Sequence, residues 1–300
     1  MLTSPLVSGK LSPHTVTTEQ KTTKHIHKMR TKILLLTAAA FAVGIVASRA
    51  DSPVYSANVV GYVNTVLQPG QFQMISNPLS NNVSNSAGTV LSGLVGGENV
   101  YIWNGSGYYS YGYLGAGNGT GAGGPSDWLD IGSPANIPGD VNVEGNMFAP
   151  APIIAPGIGF FVQNGNASAE TNTFTGTVVV TNSVTLFPGH YQMLASSIPI
   201  GGVTNSAYGL TNSLVGGENL YVWNGNGYYS YGYLGAGNGI SAGGPSDWLD
   251  IGTPPNIPGD VNVEGNFFAP NPQINVGQGF FIQNGNASSE VWIQSINVNQ

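Results

Sequence analysis

The side chains with the most chemistry in this chain are carboxylates. Of its fourteen acidic residues only Glu19 precedes Asp51, which leaves thirteen between Asp51 and Gln300. Twelve of these fall in six matched pairs: Glu98/Glu218, Asp127/Asp247, Asp130/Asp250, Asp140/Asp260, Glu144/Glu264 and Glu170/Glu290. Paired acids can hydrolyse glycosides, one as proton donor and one as base or nucleophile. That chemistry needs a deep cleft, and two near-identical sites in tandem would be unusual for it, so a glycoside-active enzyme ranks third among the readings. Nucleophilic catalysis has even less to stand on. His190 is the one histidine after residue 50, in a turn where the matching position holds Gln71. There is no cysteine and no Gly-x-Ser-x-Gly elbow. Gly119-x-Gly121-x-x-Gly124 has the form of a dinucleotide fingerprint, but Ser241 matches Gly121, no helical pattern follows, and no cation is near. It reads as a flexible glycine loop. The expectation is a protein that is not an enzyme.

Calcium is the one cofactor the acids suggest. Asp140, Asn142 and Glu144 stand at alternate positions before Gly145, and Asp260, Asn262 and Glu264 repeat them before Gly265. Alternating oxygen ligands followed by glycine resemble the opening of a calcium loop. Two departures count against it: Glu stands where a third Asp belongs, and Ala151 and Asn271 occupy the place of the bidentate Glu. Asp127 and Asp130 would have to fold back to supply the missing oxygens. The competing reading is a Pro-Gly turn whose Asp and Asn side chains cap local backbone groups.

Aromatic side chains offer a second kind of site. If Trp103 faces Tyr108 across the Asn104–Gly107 turn, strand alternation puts Tyr101, Trp103, Tyr108 and Leu114 on one sheet face. Val100, Ile102, Tyr109, Tyr111 and Tyr113 take the other. A face not needed for the core could present a flat platform on which sugar rings stack. The candidates are Tyr101, Trp103, Tyr108 and Trp128, with Tyr221, Trp223, Tyr228 and Trp248 in the second copy. An exposed platform would leave Trp103 and Trp223 dispensable for stability and would bring Trp103 and Trp128 into one groove. The alternative is burial of both faces, with the rings stabilising strand pairs.

The elements that must position these residues come in duplicate. Leu94–Pro150 aligns with Leu214–Pro270 at a constant offset of 120, with 49 identities in 57 positions, so each copy is domain-sized rather than a solenoid turn. Within a copy the pattern is that of strands. Val59 to Leu67 and Phe72 to Ile75 flank Pro69-Gly70 as a hairpin would, and Glu98 to Trp103 returns as Tyr108 to Leu114. Only Asn85–Leu94 and Asn205–Leu214 could hold a short helix. Glu290–Val298 corresponds to Glu170–Val178 and is placed to complete the second sheet. The fold class expected is all-β: two tandem antiparallel β-sandwich or barrel-like domains, residues 51–171 and 172–300, from an internal duplication.

Composition narrows the partners. All seven Lys and Arg lie within the first 49 residues, so the rest carries thirteen negative charges and no fixed positive one. Such a surface cannot neutralise phosphates, which excludes nucleic acid as a main partner. Residues 29–50 have a basic start, an apolar run from Ile33 to Ala47 and a small-residue end at Ala50, the layout of a signal peptide. Residues 1–28 are polar and patternless and read as an extension ahead of the true start at Met29. The expected product is secreted or at the cell surface, with no stable membrane insertion after cleavage.

Val-Val-Gly-Tyr-Val-Asn (59–64), Pro-Gly with Asn-Pro-Leu (69–79), Val-Tyr-Ile-Trp-Asn-Gly (100–105), Trp128 and Pro-Gly-x-Gly-Phe-Phe (156–161) together resemble a group of secreted two-repeat β-proteins of the Verrucomicrobia type. The second copy departs where Asn-Pro-Leu should stand. The resemblance implies export and fold, not an activity. The leading reading is a non-catalytic exported structural or binding protein of the cell envelope or extracellular matrix. A carbohydrate-binding module is the alternative. Extracellular polysaccharide or other envelope proteins are the partners expected.

Overall fold

Strand pairing begins where apolar and polar residues alternate, at Val60. The structure, a computed structural model, describes residues 59–204 and 208–296; the leader expected at 29–50 and the extension expected at 1–28 lie outside them. The first copy contributes β1 (Val60–Leu67), β2 (Phe72–Ser76), β3 (Asn99–Trp103), β4 (Tyr108–Tyr113) and β5 (Trp128–Asp130). It continues with β6 (Val141–Val143), β7 (Asn146–Ala149), β8 (Gly159–Gln163) and β9 (Glu170–Thr177). The second contributes β10 (Thr181–Leu186), β11 (Tyr191–Ala195), β12 (Gly202–Val203), β13 (Glu218–Trp223), β14 (Tyr228–Tyr233) and β15 (Trp248–Asp250). It ends with β16 (Val261–Val263), β17 (Asn266–Ala269), β18 (Gln273–Ile274), β19 (Gly279–Asn284) and β20 (Glu290–Ser295).

The fold is all-β and duplicated. One seven-stranded antiparallel sheet has the order β2-β8-β3-β4-β5-β7-β6, and its counterpart has the order β11-β19-β13-β14-β15-β17-β16. Each sheet is faced by a two-stranded ribbon, β1 with β9 and β10 with β20. The cores fill the space between ribbon and sheet. Leu67 and Phe174 from the first ribbon meet Val100, Trp128, Phe160 and Val162 from the first sheet. Leu186 and Trp292 meet Leu220, Trp248, Phe280 and Ile282 in the second. Each copy is therefore sandwich-like.

Three expectations need correction. The Pro69-Gly70 turn is a corner between ribbon and sheet, not a hairpin: β1 pairs with β9 and β2 with β8. Gln73 explains the change of sheet, because its Oε1 accepts from the Gln68 N–H at 2.8 Å and its Nε2 donates to the Val66 carbonyl at 2.8 Å. The first copy also runs past 171. β9 extends to Thr177 in full register with β1, so the division between copies falls between Thr177 and Thr181. The glycine loop, finally, is structured. It holds a one-turn helix, α2 (Asn118–Gly121), matched by α3 (Asn238–Ser241), besides the expected α1 (Ala87–Val90). Gly119 is required there by close approach, since a methyl group would collide with the Ser126 carbonyl. In the second copy a 3₁₀ turn stands at Thr211–Ser213.

The described residues form one unit in which the two copies meet through equivalent surfaces. The Ser76 N–H donates to the Gly277 carbonyl at 2.8 Å, and the Ala195 N–H to the Gly157 carbonyl at 3.0 Å. Where the chains cross, a methyl on Gly279 would lie 3.2 Å from the Gly159 Cα and 3.1 Å from the Ile75 carbonyl oxygen. The second glycine of the Pro-Gly-x-Gly-Phe-Phe pattern thus marks the seam between copies, because any side chain there would hold the sheets apart.

Candidate binding site

Alternation along β3 and β4 divides the aromatics as the sequence suggests. Trp103 pairs with Tyr108, and Val100, Tyr111, Ile102, Tyr109 and Tyr113 pack into or against the first core. Tyr101, Trp103 and Tyr108 leave on the other face. That face is not an open platform. It packs against its own duplicate, with Met74, Phe161, Met193 and Phe281 at the centre and Tyr101, Trp103, Tyr108, Tyr221, Trp223 and Tyr228 around them. Trp103 meets Phe281 edge-on at 5.2 Å and 87°, and Trp223 meets Phe161 at 5.2 Å and 82°. Such edge-to-face geometry suits the quadrupoles of the rings. Each indole also crosses the seam: Trp103 Nε1 donates to the Tyr191 carbonyl at 2.9 Å, and Trp223 Nε1 to the Phe72 carbonyl at 3.0 Å.

Trp128 and Trp248 do not belong to this surface. They are 2% and 0% exposed, inside the two ribbon–sheet cores and stacked near Tyr113 and Tyr233. The expectation of Trp103 and Trp128 in a shared groove is corrected, because they lie on opposite faces of the sheet.

The seam is not fully closed. Two cavities open in it, related by the duplication. One, of about 330 Å³, is lined by Phe72, Tyr101, Tyr108, Phe161, Trp223 and Tyr228. The other, of about 350 Å³, is lined by Trp103, Tyr108, Tyr191, Tyr221, Tyr228 and Phe281. Tyr108 and Tyr228 line both, and burial holds both phenols above the ordinary tyrosine value. A third and larger recess of about 430 Å³ runs along the outer edge of the seam past Trp223 and is lined chiefly by polar groups.

The acids have structural work. Asp127 sits inside the glycine loop, where its carboxylate accepts from the Gly117, Gly119 and Thr120 N–H groups at 2.8, 3.0 and 3.3 Å. Desolvation alone would raise its pKa, but these three donors outweigh it and hold the carboxyl below its ordinary value. The backbone cradle that resembles a phosphate loop is thus occupied by the protein's own anion. Asp130 binds the next loop, with Oδ1 accepting from Gly132 at 2.8 Å and Oδ2 from Asn136 and Ile137 at 2.7 Å. Asp247 and Asp250 repeat both arrangements.

Glu98 is fully buried and accepts from the Val95 and Gly96 N–H groups at 3.1 and 3.0 Å. Asn166 Nδ2 bridges it to Glu170, at 3.0 and 2.6 Å. With both carboxyls ionised, Glu170 Oε2 is buried without a partner. A proton on Glu170 provides one, donated to Glu98. Desolvation first and this carboxyl–carboxyl hydrogen bond second push Glu170 up to about 7, and Glu290 beside Glu218 likewise. Sequence reasoning paired each of these acids with its duplicate. It missed that Glu98 pairs with Glu170 in space, which comes about only when β8 pairs with β3 and the turn after it sets Asn166 between the two acids.

The calcium candidates fall on two hairpins. Asp140, Asn142 and Glu144 lie on and beside a β6–β7 hairpin, with Val143 paired to Asn146 around the two-residue turn Glu144-Gly145. Both turn residues have positive φ, 50° and 90°, as the right-handed twist of the strands demands of a tight hairpin. Asn142 Oδ1 accepts from the Gly145 N–H at 3.0 Å instead of facing a cation, and Asn262 does the same for Gly265. Asp260, Asn262 and Glu264 form the matching hairpin. Among the described residues, no three acidic or histidine side chains converge as a metal site. Comparison with protein-family models, with curated proteins and with solved structures returns no match.

Proposed function

We propose that this is a non-catalytic exported protein of the cell envelope or extracellular matrix, with structural or binding work. The observation that carries the reading is the use made of the acids. Asp127, Asp130 and Glu98 each accept hydrogen bonds from two or more backbone N–H groups of their own copy. A carboxylate committed in this way shapes loops and is not free to shuttle protons for a substrate. A glycosidase needs two carboxyls on either side of a scissile bond, about 5–9.5 Å apart with room for substrate between them, whereas the space between Glu98 and Glu170 is filled by the side-chain amide of Asn166, which bonds both. The resemblance to exported two-repeat proteins supports the export part of this reading.

A specific feature favours carbohydrate binding as the form this work takes. The two seam cavities have walls of aromatic rings, each within the usual size range of roughly 300–1,000 Å³ for small-ligand sites. Flat rings of that kind suit the C–H faces of sugars. A polysaccharide pull-down coupled to an assay for released reducing ends tests both readings. Retention of a glycan without release supports them, release of reducing ends overturns the non-catalytic reading, and retention of no glycan removes the carbohydrate form.

A further inference from the structure

The two edges of the seam are equivalent by duplication, yet their side chains are not. At one edge, the first copy's β1 and β2 face residues 275–278 and Trp223 of the second copy across the recess of about 430 Å³. Asn64, Gln71, Asn275 and Gln278 line it. At the other edge the matching positions hold Ser183, His190, Ala155 and Ile158. Four amides at one edge are thus replaced by two aliphatic side chains, one hydroxyl and one imidazole at the other, although the backbone bridges that close the two edges are alike, Ile75 with Gln278 and Leu194 with Ile158.

Chemistry defines what such a recess suits. It has no carboxylate and no cation in its lining, so it has nothing to pair with a charged ligand. Amides offer both donors and acceptors without charge, which matches a row of hydroxyl groups. Gln71 and Asn275 make their local hydrogen bonds through backbone N–H groups, to the Gln68 carbonyl and to Gln278 Oε1, which leaves their amide groups for a ligand. Trp223 borders both the recess and the adjoining aromatic cavity and provides an apolar surface at its inner wall. The thirteen negative charges after residue 50 would repel a polyanion.

We propose that the amide-lined recess beside Trp223 is a binding site for a neutral saccharide chain, present at one edge of the seam only. The proposal rests on the carbohydrate reading above and assigns it a place and a ligand class. The test uses the full chain from Asp51 with hexasaccharides of β-1,4-linked glucose, xylose and mannose, and with polygalacturonate as the acidic comparison, followed by calorimetry. At least one neutral hexasaccharide should bind and polygalacturonate should not. Gln71→Ala with Asn275→Ala should weaken that binding at least tenfold at an unchanged melting temperature. His190→Ala with Ile158→Ala, at the opposite edge, should leave it unaltered. Equal losses at both edges, or preference for polygalacturonate, would overturn the proposal. Binding that ignores Gln71 and Asn275 but disappears in Tyr101→Ala would move the ligand into the seam cavities, overturning the recess while keeping the carbohydrate reading. Binding of none of the hexasaccharides defeats the recess and leaves the broader reading to the polysaccharide assay.

Discussion

Trp103 and Trp223 hold the two copies together by the same act performed in opposite directions. Each indole donates to a backbone carbonyl of the other copy, Tyr191 at 2.9 Å and Phe72 at 3.0 Å, and each packs its ring edge-on against the other copy's phenylalanine. The seam is therefore self-complementary, as a twofold dimer interface would be, although it lies within one chain.

Replacing either tryptophan should be costly. Truncation of a buried Trp to Ala costs about 3–5 kcal/mol. Trp103 and Trp223 are half-buried, but each also loses a cross-seam hydrogen bond worth about 1 kcal/mol. We expect about 3 kcal/mol for each single variant by urea denaturation. Losses below about 0.5 kcal/mol, the level of an uninvolved surface position, would mean that the rings are a platform after all.

Stability should fall as pH rises toward neutrality. Glu170 and Glu290 titrate near 7 when folded against an ordinary value of 4.5, so the folded chain holds these protons more tightly than the unfolded chain. Their contribution is complete below about pH 4.5 and is lost as pH climbs through about 7. Asp127, with its lowered value, acts in the opposite sense and only in stronger acid. Melting temperatures measured from pH 4 to 8 should peak on the acid side of neutrality. Glu170→Gln with Glu290→Gln should flatten the decline, because an amide keeps a donor toward Glu98 and Glu218 at every pH.

The first copy should fold alone only if β9 is included. A fragment of residues 57–179 retains the β1–β9 ribbon, whereas one ending at 171 loses nearly all of the strand that pairs with β1. The longer fragment should give a cooperative melt and, with its aromatic face uncovered, should associate in sedimentation experiments. Equal cooperativity for the shorter fragment would show that the ribbon is not needed to close the core.

Calcium at about 5 mM, above the weak extracellular range of about 10⁻⁴–10⁻³ M, should leave the melting temperature unchanged. Asn142→Ala should cost about 1 kcal/mol with or without the ion, the worth of one lost side-chain hydrogen bond at the Glu144-Gly145 turn. A rise in melting temperature that EDTA reverses and Asp140→Ala with Asp260→Ala removes would establish the metal site.

Local chemistry was legible before folding was considered. The duplication, the strands, the Trp103–Tyr108 hairpin pairing and the division of β3 and β4 into two faces follow from a repeat of 120 residues and a period of two. These depend on neighbours along the chain, and short-range sterics reach that far. What covers each face does not. Trp103 and Trp128 are the same residue type and both lie in short strands of one sheet, yet one stitches two copies together and the other fills a core. The choice is made by contacts between residues 88 and more positions apart, which no local pattern records. The same is true of Glu98, whose partner Glu170 arrives only when β9 closes the first copy, and of Asp140 and Glu144, where a tight hairpin turn competes with a calcium loop for the same alternating oxygens. The sequence alone determined which surfaces this protein could build. Tertiary packing, by burying the aromatic face against its own duplicate, decided that the open chemistry lies at the edges of the seam.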